Sequence, residues 1–131
     1  MTYRVGLTTL GIMAGAAALS AAPPANPLAG TTVFKKCASC HNVDPSGRNG
    51  LGPNLRGVAN RRAGALTGFA YSPAMKASGL AWNDATLDRF LTGPRTAVPG
   101  TKMIFVGLPN PQDRADVIAY LKQNSAAGAK K

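Results

Sequence analysis

Both cysteines and the single histidine of this chain lie within one pentapeptide, Cys-Ala-Ser-Cys-His, at residues 37 to 41. Three chemistries use such a set of side chains: a metal centre, a redox-active dithiol, and the covalent attachment of a haem. The spacing C-x-x-C-H is typical of the third, in which two thiols form thioethers with the haem vinyl groups and the adjacent histidine binds the iron. The other two chemistries need further residues or a particular fold.

The remainder of the sequence argues against both of those alternatives. A structural zinc site takes about four Cys or His ligands, and this chain has only three such residues, of which His41 directly follows Cys40. A thioredoxin-like dithiol belongs to a βαβ unit, and no such unit is visible. A disulfide between Cys37 and Cys40 would close too short a loop to stabilise the chain much. Haem attachment is therefore the favoured chemistry.

A haem with two axial ligands needs a second ligand besides His41. Beyond residue 22 the chain contains two methionines, Met75 and Met103. Met75 belongs to a short helical pattern, in which a methionine is an ordinary core residue. Met103 lies in a Pro- and Gly-rich stretch, VPGTKMIF, where a lone apolar side chain is less expected. Met103 is therefore the candidate, and a thioether ligand raises the potential of haem iron.

Short helices joined by long loops must position these residues. Capping and stop signals predict helices that start near Thr31 or Thr32, at Ser72–Pro73, after Asn83 and at Asn110–Pro111. The segments 42–68 and 94–110 are predicted to be loops, and no strand alternation is visible. A bare loop as long as residues 42–68 needs something to wrap in a small domain. The sequence predicts an all-α fold around one covalently bound haem.

Residues 1–22 have the layout of a secretory signal peptide. They combine one early positive charge at Arg4, no acidic residue, an apolar run over 5–19, and small residues before a Pro pair. Cleavage is expected after Ser20 or Ala22. The alternative is an uncleaved anchor, since the run approaches the roughly 20 residues of a membrane span. We expect export to a bacterial periplasm, or attachment to the periplasmic side of the inner membrane if the leader is retained.

The charge of the chain is strongly positive. The formal net charge is +10, and removal of the leader takes away one positive charge. Such a field draws anionic partners, but the basic residues are scattered without interleaved aromatic residues, which argues against nucleic acid. A chain of 131 residues holds one small domain. We expect a short N-terminal segment at 23–29, a monomeric domain at 30–124 and a flexible basic tail at 125–131.

Six motifs occur along the chain in this order: CASCH, GPNLRGV, YSPAMK, GLAW, VPGTKM and DRADVIAYLK. In order and spacing they resemble the class I c-type cytochromes, of the mitochondrial cytochrome c and bacterial cytochrome c2 type. The match spans about residues 30 to 124. The resemblance implies the cytochrome c fold, one haem c, and single-electron transfer rather than enzymatic catalysis.

The resemblance also implies roles for individual residues around the haem. Cys37 and Cys40 would form the two thioethers, and His41 and Met103 would be the axial ligands. Pro53 would accept a hydrogen bond from the His41 ring through its backbone carbonyl, which fixes the orientation of the ring.

Further positions around the cofactor follow from the same resemblance. Arg61, Tyr71 and Trp82 would bind the haem propionates, and Thr101 would lie beside the methionine ligand. Basic positions around the exposed haem edge, where redox partners dock, correspond to Lys36, Arg95 and Lys102. From the residues alone, a single tryptophan such as Trp82 is more often a core residue than a cofactor contact, and the basic side chains are equally explained as solvated surface charges.

Two contacts and two departures complete the comparison with the family. Gly30 and Phe34 would meet the last helix near Val117, Tyr120 and Leu121. Phe90 stands where the family usually has a tyrosine that hydrogen-bonds near the methionine sulfur, so a more apolar crevice is expected. Met75 occupies a position that is often asparagine in the mitochondrial branch.

The resemblance implies that the chain is a soluble carrier of single electrons between larger redox complexes. The donor would be a cytochrome bc-type complex, and the acceptor a terminal oxidase, a photosynthetic reaction centre or a peroxidase, each with an acidic docking patch. Two other interpretations stay open. One is a five-coordinate haem protein that binds a gas or has weak peroxidase activity, with Met103 not ligated. The other is a membrane-anchored subunit that feeds electrons to one enzyme.

Overall fold

Five helices and the loops between them make up the computed structural model of this chain, which describes residues 24–126. The helices are α1 (Pro27–Phe34), α2 (Pro73–Ala77), α3 (Asp84–Thr92), α4 (Pro94–Ala97) and α5 (Pro111–Ala126). Across the described residues there is no named strand, and an isolated antiparallel bridge joins Arg62 to Ala81. The prediction of an all-α fold with short helices and long loops is confirmed.

Three helices begin at the capping signals that the sequence carries. The Ser72 hydroxyl accepts a hydrogen bond from the backbone N–H of Met75 (3.1 Å) at the start of α2. At the start of α3, the side chains of Asn83 and Thr86 each accept from the other's backbone N–H at 2.9 Å, which is a capping box. The Asn110 side chain accepts from the N–H of Gln112 (2.8 Å) before α5.

The first helix starts earlier than the sequence analysis predicted. Asn26, rather than Thr31 or Thr32, is its cap, and its side chain accepts from the N–H of Leu28 at 3.0 Å. Asparagine followed by proline is a strong helix start. The backbone N–H of Asn26 also donates to the Asp116 carboxylate (2.7 Å), so contact with α5 helps to place the start of α1. Capping signals in the local sequence cannot predict a contact with a residue so far along the chain.

Two other segments differ from expectation. The predicted loop 94–110 begins with the one-turn helix α4, which starts at Pro94. Helix α5 continues through Ala126, two residues into the predicted tail. Its Ser125 hydroxyl accepts a hydrogen bond from the Ala59 N–H (3.1 Å), so the end of the helix is held by a contact across the fold.

The predicted leader at 1–22 and residues 127–131 of the predicted tail lie outside the described residues. Within 24–126, no helix is both long and apolar enough to cross a membrane.

Helices α1 and α5 cross at Gly30. A Cβ atom at this position would overlap the backbone carbonyl of Asp116 and the Cβ of Tyr120. One turn later, the rings of Phe34 and Tyr120 lie 5.2 Å apart between centroids. The expected meeting of the first and last helices is thus present, and it brings the end of α1, which leads into the cysteines, against a long helix.

The buried apolar residues come from α1, α2, α3, α5 and the loops. They are Val33, Phe34, Val58, Met75, Trp82, Leu87, Phe90, Leu91, Val98, Leu108, Val117, Ile118 and Leu121. The loop after the cysteines is held by Asn54, which is only 3% exposed. The Asn54 side chain donates to the Arg48 carbonyl (3.1 Å) and accepts from the Arg56 N–H (2.8 Å), so a loop without regular structure is still fixed in place.

Candidate functional site

A cavity of about 340 Å³ opens among these elements, with mostly apolar walls. All the residues predicted to contact the cofactor line it: Cys37, Cys40, His41, Pro53, Arg61, Tyr71, Trp82, Thr101 and Met103. An apolar cavity with a few convergent polar groups is typical of cofactor sites. Two of the predicted docking residues, Lys36 and Lys102, also line this cavity, whereas Arg95 does not.

The His41 ring is oriented by the chain around Gly52 and Pro53. Its Nδ1 lies 2.8 Å from the Pro53 carbonyl oxygen. Because a carbonyl only accepts, Nδ1 carries the proton and Nε2 keeps a free lone pair, as a metal-binding imidazole requires. Burial lowers the pKa of His41, while the hydrogen bond to Pro53 raises it. A Cβ atom at Gly52 would overlap the ring, so glycine is needed beside it.

The two cysteines follow α1 in a tight turn. The N–H groups of Cys40 and His41 both donate to the Cys37 carbonyl, at 3.0 and 2.9 Å, and both thiols are free. Burial raises the pKa of Cys37, although the positive charge of Lys36 opposes this and nearby Cys40 adds to it. A raised pKa favours the thiol over the thiolate, which is the form that attacks disulfides and binds metals.

A metal cluster made by the protein alone is not found in the described part of the chain. Residues 24–126 contain no group of three or more His, Cys, Asp and Glu side chains placed to hold an ion. The geometry of these residues therefore does not favour the zinc alternative.

Met103 reaches the same cavity from the loop between α4 and α5. Its N–H donates to the Thr101 hydroxyl (3.3 Å), and the Thr101 N–H donates to the Val98 carbonyl (3.0 Å). The neighbouring Lys102 ammonium donates to the Ala70 carbonyl and lies 4.6 Å from the centroid of the Phe69 ring. These contacts fix the backbone on the N-terminal side of Met103.

Arg61, Tyr71 and Trp82 bring polar groups to the lining of the cavity. The Arg61 guanidinium donates to the carbonyls of Asn54 (3.1 Å) and Arg56 (3.3 Å). Burial lowers the pKa of Arg61, and its interaction with Tyr71 raises it. Arg61 is therefore a half-buried, positioned cation rather than a solvated surface charge. Trp82 is 7% exposed, so its core and cofactor interpretations are compatible.

This set of groups fits a haem. The apolar walls suit a flat, largely hydrocarbon ring, and a positioned cation on one wall suits its carboxylates. A neutral imidazole and a thioether sulfur are ligands that iron accepts in six-coordinate c-type haem. The two thiols lie in the turn that also holds the imidazole.

Comparison with known proteins also points to a haem protein. The chain matches the family model "Cytochrome c" over residues 28–125. The chain belongs to the cytochrome c family. Cytochrome c2 of Rhodoblastus acidophilus is 55% identical over 105 residues, which cover 80% of this chain and 98% of that protein. Cytochrome c of Gossypium barbadense is 47% identical over 111 residues, covering 84% of this chain and 100% of that protein.

The fold comparison extends this result to solved structures. Cytochrome cH from Methylobacterium extorquens matches with a TM-score of 0.71 at 44% identity, and the match covers 75% of this chain and 98% of that one. The class I assignment and the cytochrome c fold are therefore confirmed. Members of this family are electron carriers rather than enzymes, and each carries one covalent haem c. The chain is a monohaem electron carrier.

Several residues of the site were not found by sequence reasoning. Gly52 and the buried Asn54 flank Pro53 in the motif GPN. The motif does not indicate that Gly52 leaves space for the His41 ring, or that Asn54 holds the loop after the cysteines. Leu51 and Ile104 line the cavity although they are 81% and 86% exposed. Their position beside the cavity depends on the folded structure, and the local sequence pattern does not predict it.

Proposed function

We propose that this cytochrome carries single electrons in a bacterial periplasm, from a cytochrome bc-type complex to a terminal oxidase, a photosynthetic reaction centre or a peroxidase. One observation carries the proposal: a neutral imidazole nitrogen at His41 and a thioether sulfur at Met103 line the same apolar cavity. Two such ligands at one iron leave no position for a substrate, so electron transfer is the chemistry that remains.

In the proposed arrangement each residue has a defined task. Haem c supplies an iron that changes oxidation state by one electron. Cys37 and Cys40 would hold the haem through thioethers, His41 and Met103 would ligate its iron, and the Pro53 carbonyl keeps the imidazole in one orientation. The apolar walls disfavour the extra positive charge of the oxidised state, and the thioether acts in the same direction. We therefore expect a positive reduction potential.

The remaining polar groups of the cavity fit the edge of the cofactor. Arg61, Tyr71 and Trp82 are proposed to bind the propionates, because a half-buried guanidinium already held by two carbonyls loses little freedom when it binds an anion. Thr101 is proposed to set the backbone before the methionine ligand, since its hydroxyl accepts from the Met103 N–H.

Partners with acidic patches are proposed to dock where the basic residues surround the cavity. Lys36 and Lys102 line the cavity, and Arg95 lies on α4, just before the Met103 loop. Lys36 is partly neutralised, because its ammonium lies 3.9 Å from the Asp113 carboxylate. Complementary charge speeds encounter more than it strengthens the complex, which suits a carrier that must leave its partner quickly. We propose that the carrier acts as a monomer.

An absorption spectrum of the purified, exported protein tests the ligation. A sharp low-spin reduced spectrum and a weak near-infrared sulfur-to-iron band in the oxidised form are expected. A high-spin spectrum that shifts when carbon monoxide is added would instead favour the five-coordinate haem protein.

The variant Met103→Ala provides the matched comparison. It should keep its haem covalently attached, lose the near-infrared band and bind carbon monoxide when reduced. Unchanged spectra in this variant would contradict the ligand assignment. The mass of the mature chain separates the free carrier from an anchored subunit, since the carrier is expected to start after Ser20 or Ala22.

A further inference from the structure

The loop that carries Met103 has no regular secondary structure, and near the methionine Met103 and Phe105 pack, partly buried, against the core. Residues 98–110 contain neither helix nor strand. The side chains of Ile104 and Val106 are 86% and 95% exposed, so they do not hold the loop against the rest of the molecule. The position of the sulfur therefore depends on the partly buried Phe105 and on the anchors at the two ends of the loop.

The far end of the loop is anchored against the end of α3. The N–H of Leu108 donates to the Leu91 carbonyl (2.7 Å), and Leu108 itself is only 2% exposed. A Cβ atom at Gly107 would overlap the Thr92 carbonyl, which shows how closely the two backbones approach. The loop is thus fully buried at Leu108, five residues after Met103.

Arg114, near the start of α5, connects the end of the loop to α3 and α5. Its Nη1 donates to the carbonyls of Leu108 (2.8 Å) and Pro109 (3.2 Å). Its Nε donates to the Asp88 carboxylate on α3 (2.7 Å). The Arg114 side chain is 13% exposed, against 48% for Asp88. A planar guanidinium makes three such bonds at once, which a lysine ammonium cannot reproduce with the same geometry.

We propose that Arg114, oriented by Asp88, is a positioning residue for Met103. By holding the carbonyls at the end of the loop, it favours the closed arrangement in which the sulfur faces the cavity over one in which the loop lifts away. The inference rests on the proposed ligation by Met103. Neither residue lines the cavity, so an effect on ligation would have to pass through the loop.

A second ion pair serves as an internal control. The Lys122 ammonium lies 3.1 Å from the Asp84 carboxylate, and these two residues also join α5 to α3. Neither has a hydrogen bond to the Met103 loop among the described contacts. Loss of this pair can weaken the α3–α5 contact, but it leaves the loop anchor intact.

The test compares ligand loss with global unfolding in the haem-loaded, oxidised protein. Asp88→Ala, Arg114→Lys and Asp84→Ala are heated, and the near-infrared band and the far-ultraviolet circular dichroism are recorded together. In Asp88→Ala and Arg114→Lys, the ratio of molecules without the band to molecules with it should rise about five-fold or more at a fixed temperature below unfolding. The band should disappear earlier relative to unfolding than in the wild type. In Asp84→Ala the two transitions should keep their wild-type separation.

The reduced proteins give a second readout. Asp88→Ala and Arg114→Lys should bind carbon monoxide faster than the wild type, because the methionine leaves the iron more often, and Asp84→Ala should not. If the band is lost only together with global unfolding in all three variants, the positioning role is refuted. A wild-type protein without the band would overturn the ligation itself, and the inference with it; this failure is recognised before any variant is compared.

Discussion

The orientation of the His41 ring depends on two residues that are close to each other in the sequence. Pro53 accepts the Nδ1 proton at 2.8 Å, and Gly52 leaves the space that the ring occupies. The first contact could be expected from the resemblance to the family. The second could not, because the need for glycine here comes from the packed ring and not from an unusual backbone angle.

Gly52→Ala should displace the imidazole without changing any ligand. The added methyl overlaps the ring, so we expect a loss of about 1–3 kcal/mol of unfolding free energy, typical of overpacking, together with a change in the low-spin spectrum. Guanidinium unfolding followed by the fluorescence of Trp82, the single tryptophan, measures the first effect. Gly93→Ala is the control, because a Cβ there would lie 3.5 Å from the Thr96 hydroxyl, an ordinary contact. Equal losses in both variants would contradict the steric argument.

At the scale of helices, local signals predicted starts better than extents. Ser72, Asn83 and Asn110 cap helices as expected, because the cap is a contact between residues two or three apart. The start of α1 at Pro27 and the extension of α5 to Ala126 involve contacts across the fold, from Asn26 to Asp116 and from Ala59 to Ser125. The one-turn helix α4 is too short to produce a periodic pattern.

At the crossing of α1 and α5, helix propensity and packing predict opposite changes in stability for the same substitution. Alanine favours a helix interior over glycine by about 1 kcal/mol, so propensity alone predicts that Gly30→Ala stabilises the protein. A methyl group at Gly30 would overlap the Asp116 carbonyl, and we expect this clash to dominate, with a net loss of about 1–3 kcal/mol. Chemical unfolding measures the change. The control is Thr32→Ala, at an exposed position of the same helix, whose unfolding free energy should stay within about 0.5 kcal/mol of the wild-type value. If Gly30→Ala instead stabilises the protein, the two helices can move apart at no cost and the steric argument is wrong.

At the scale of the whole molecule, the chain has five acidic and fifteen basic residues, and several of the acidic side chains already form ion pairs within the protein. Asp84, Asp88 and Asp113 each pair with a basic residue. The positive excess is therefore carried by side chains such as Arg95 that have no ion-pair partner among the described residues. Net charge could be read from composition, but its distribution around the cavity needed the fold, because Lys36 and Lys102 line the same cavity although they are far apart in sequence.

Whether local or overall charge steers docking can be decided with two variants of equal net charge. Arg95→Glu reverses a charge next to the Met103 loop, whereas Arg56→Glu reverses one in a separate concavity that shares no lining residue with the main cavity. At low ionic strength, electron transfer from a cytochrome bc-type complex should slow several-fold in Arg95→Glu and much less in Arg56→Glu, because a charge at the rim of an interface acts on the association rate.

Added salt completes this test of docking. The Debye length falls from about 10 Å at 0.1 M to about 3 Å at 1 M ionic strength, so the difference between Arg95→Glu and the wild type should disappear as salt is raised, as followed by stopped-flow absorption of the haem. Equal slowing of both variants would show that the total field attracts the partner without a local patch. A defect in Arg95→Glu that survives high salt would mean that Arg95 makes a short-range contact, and electrostatic steering by this residue would be refuted.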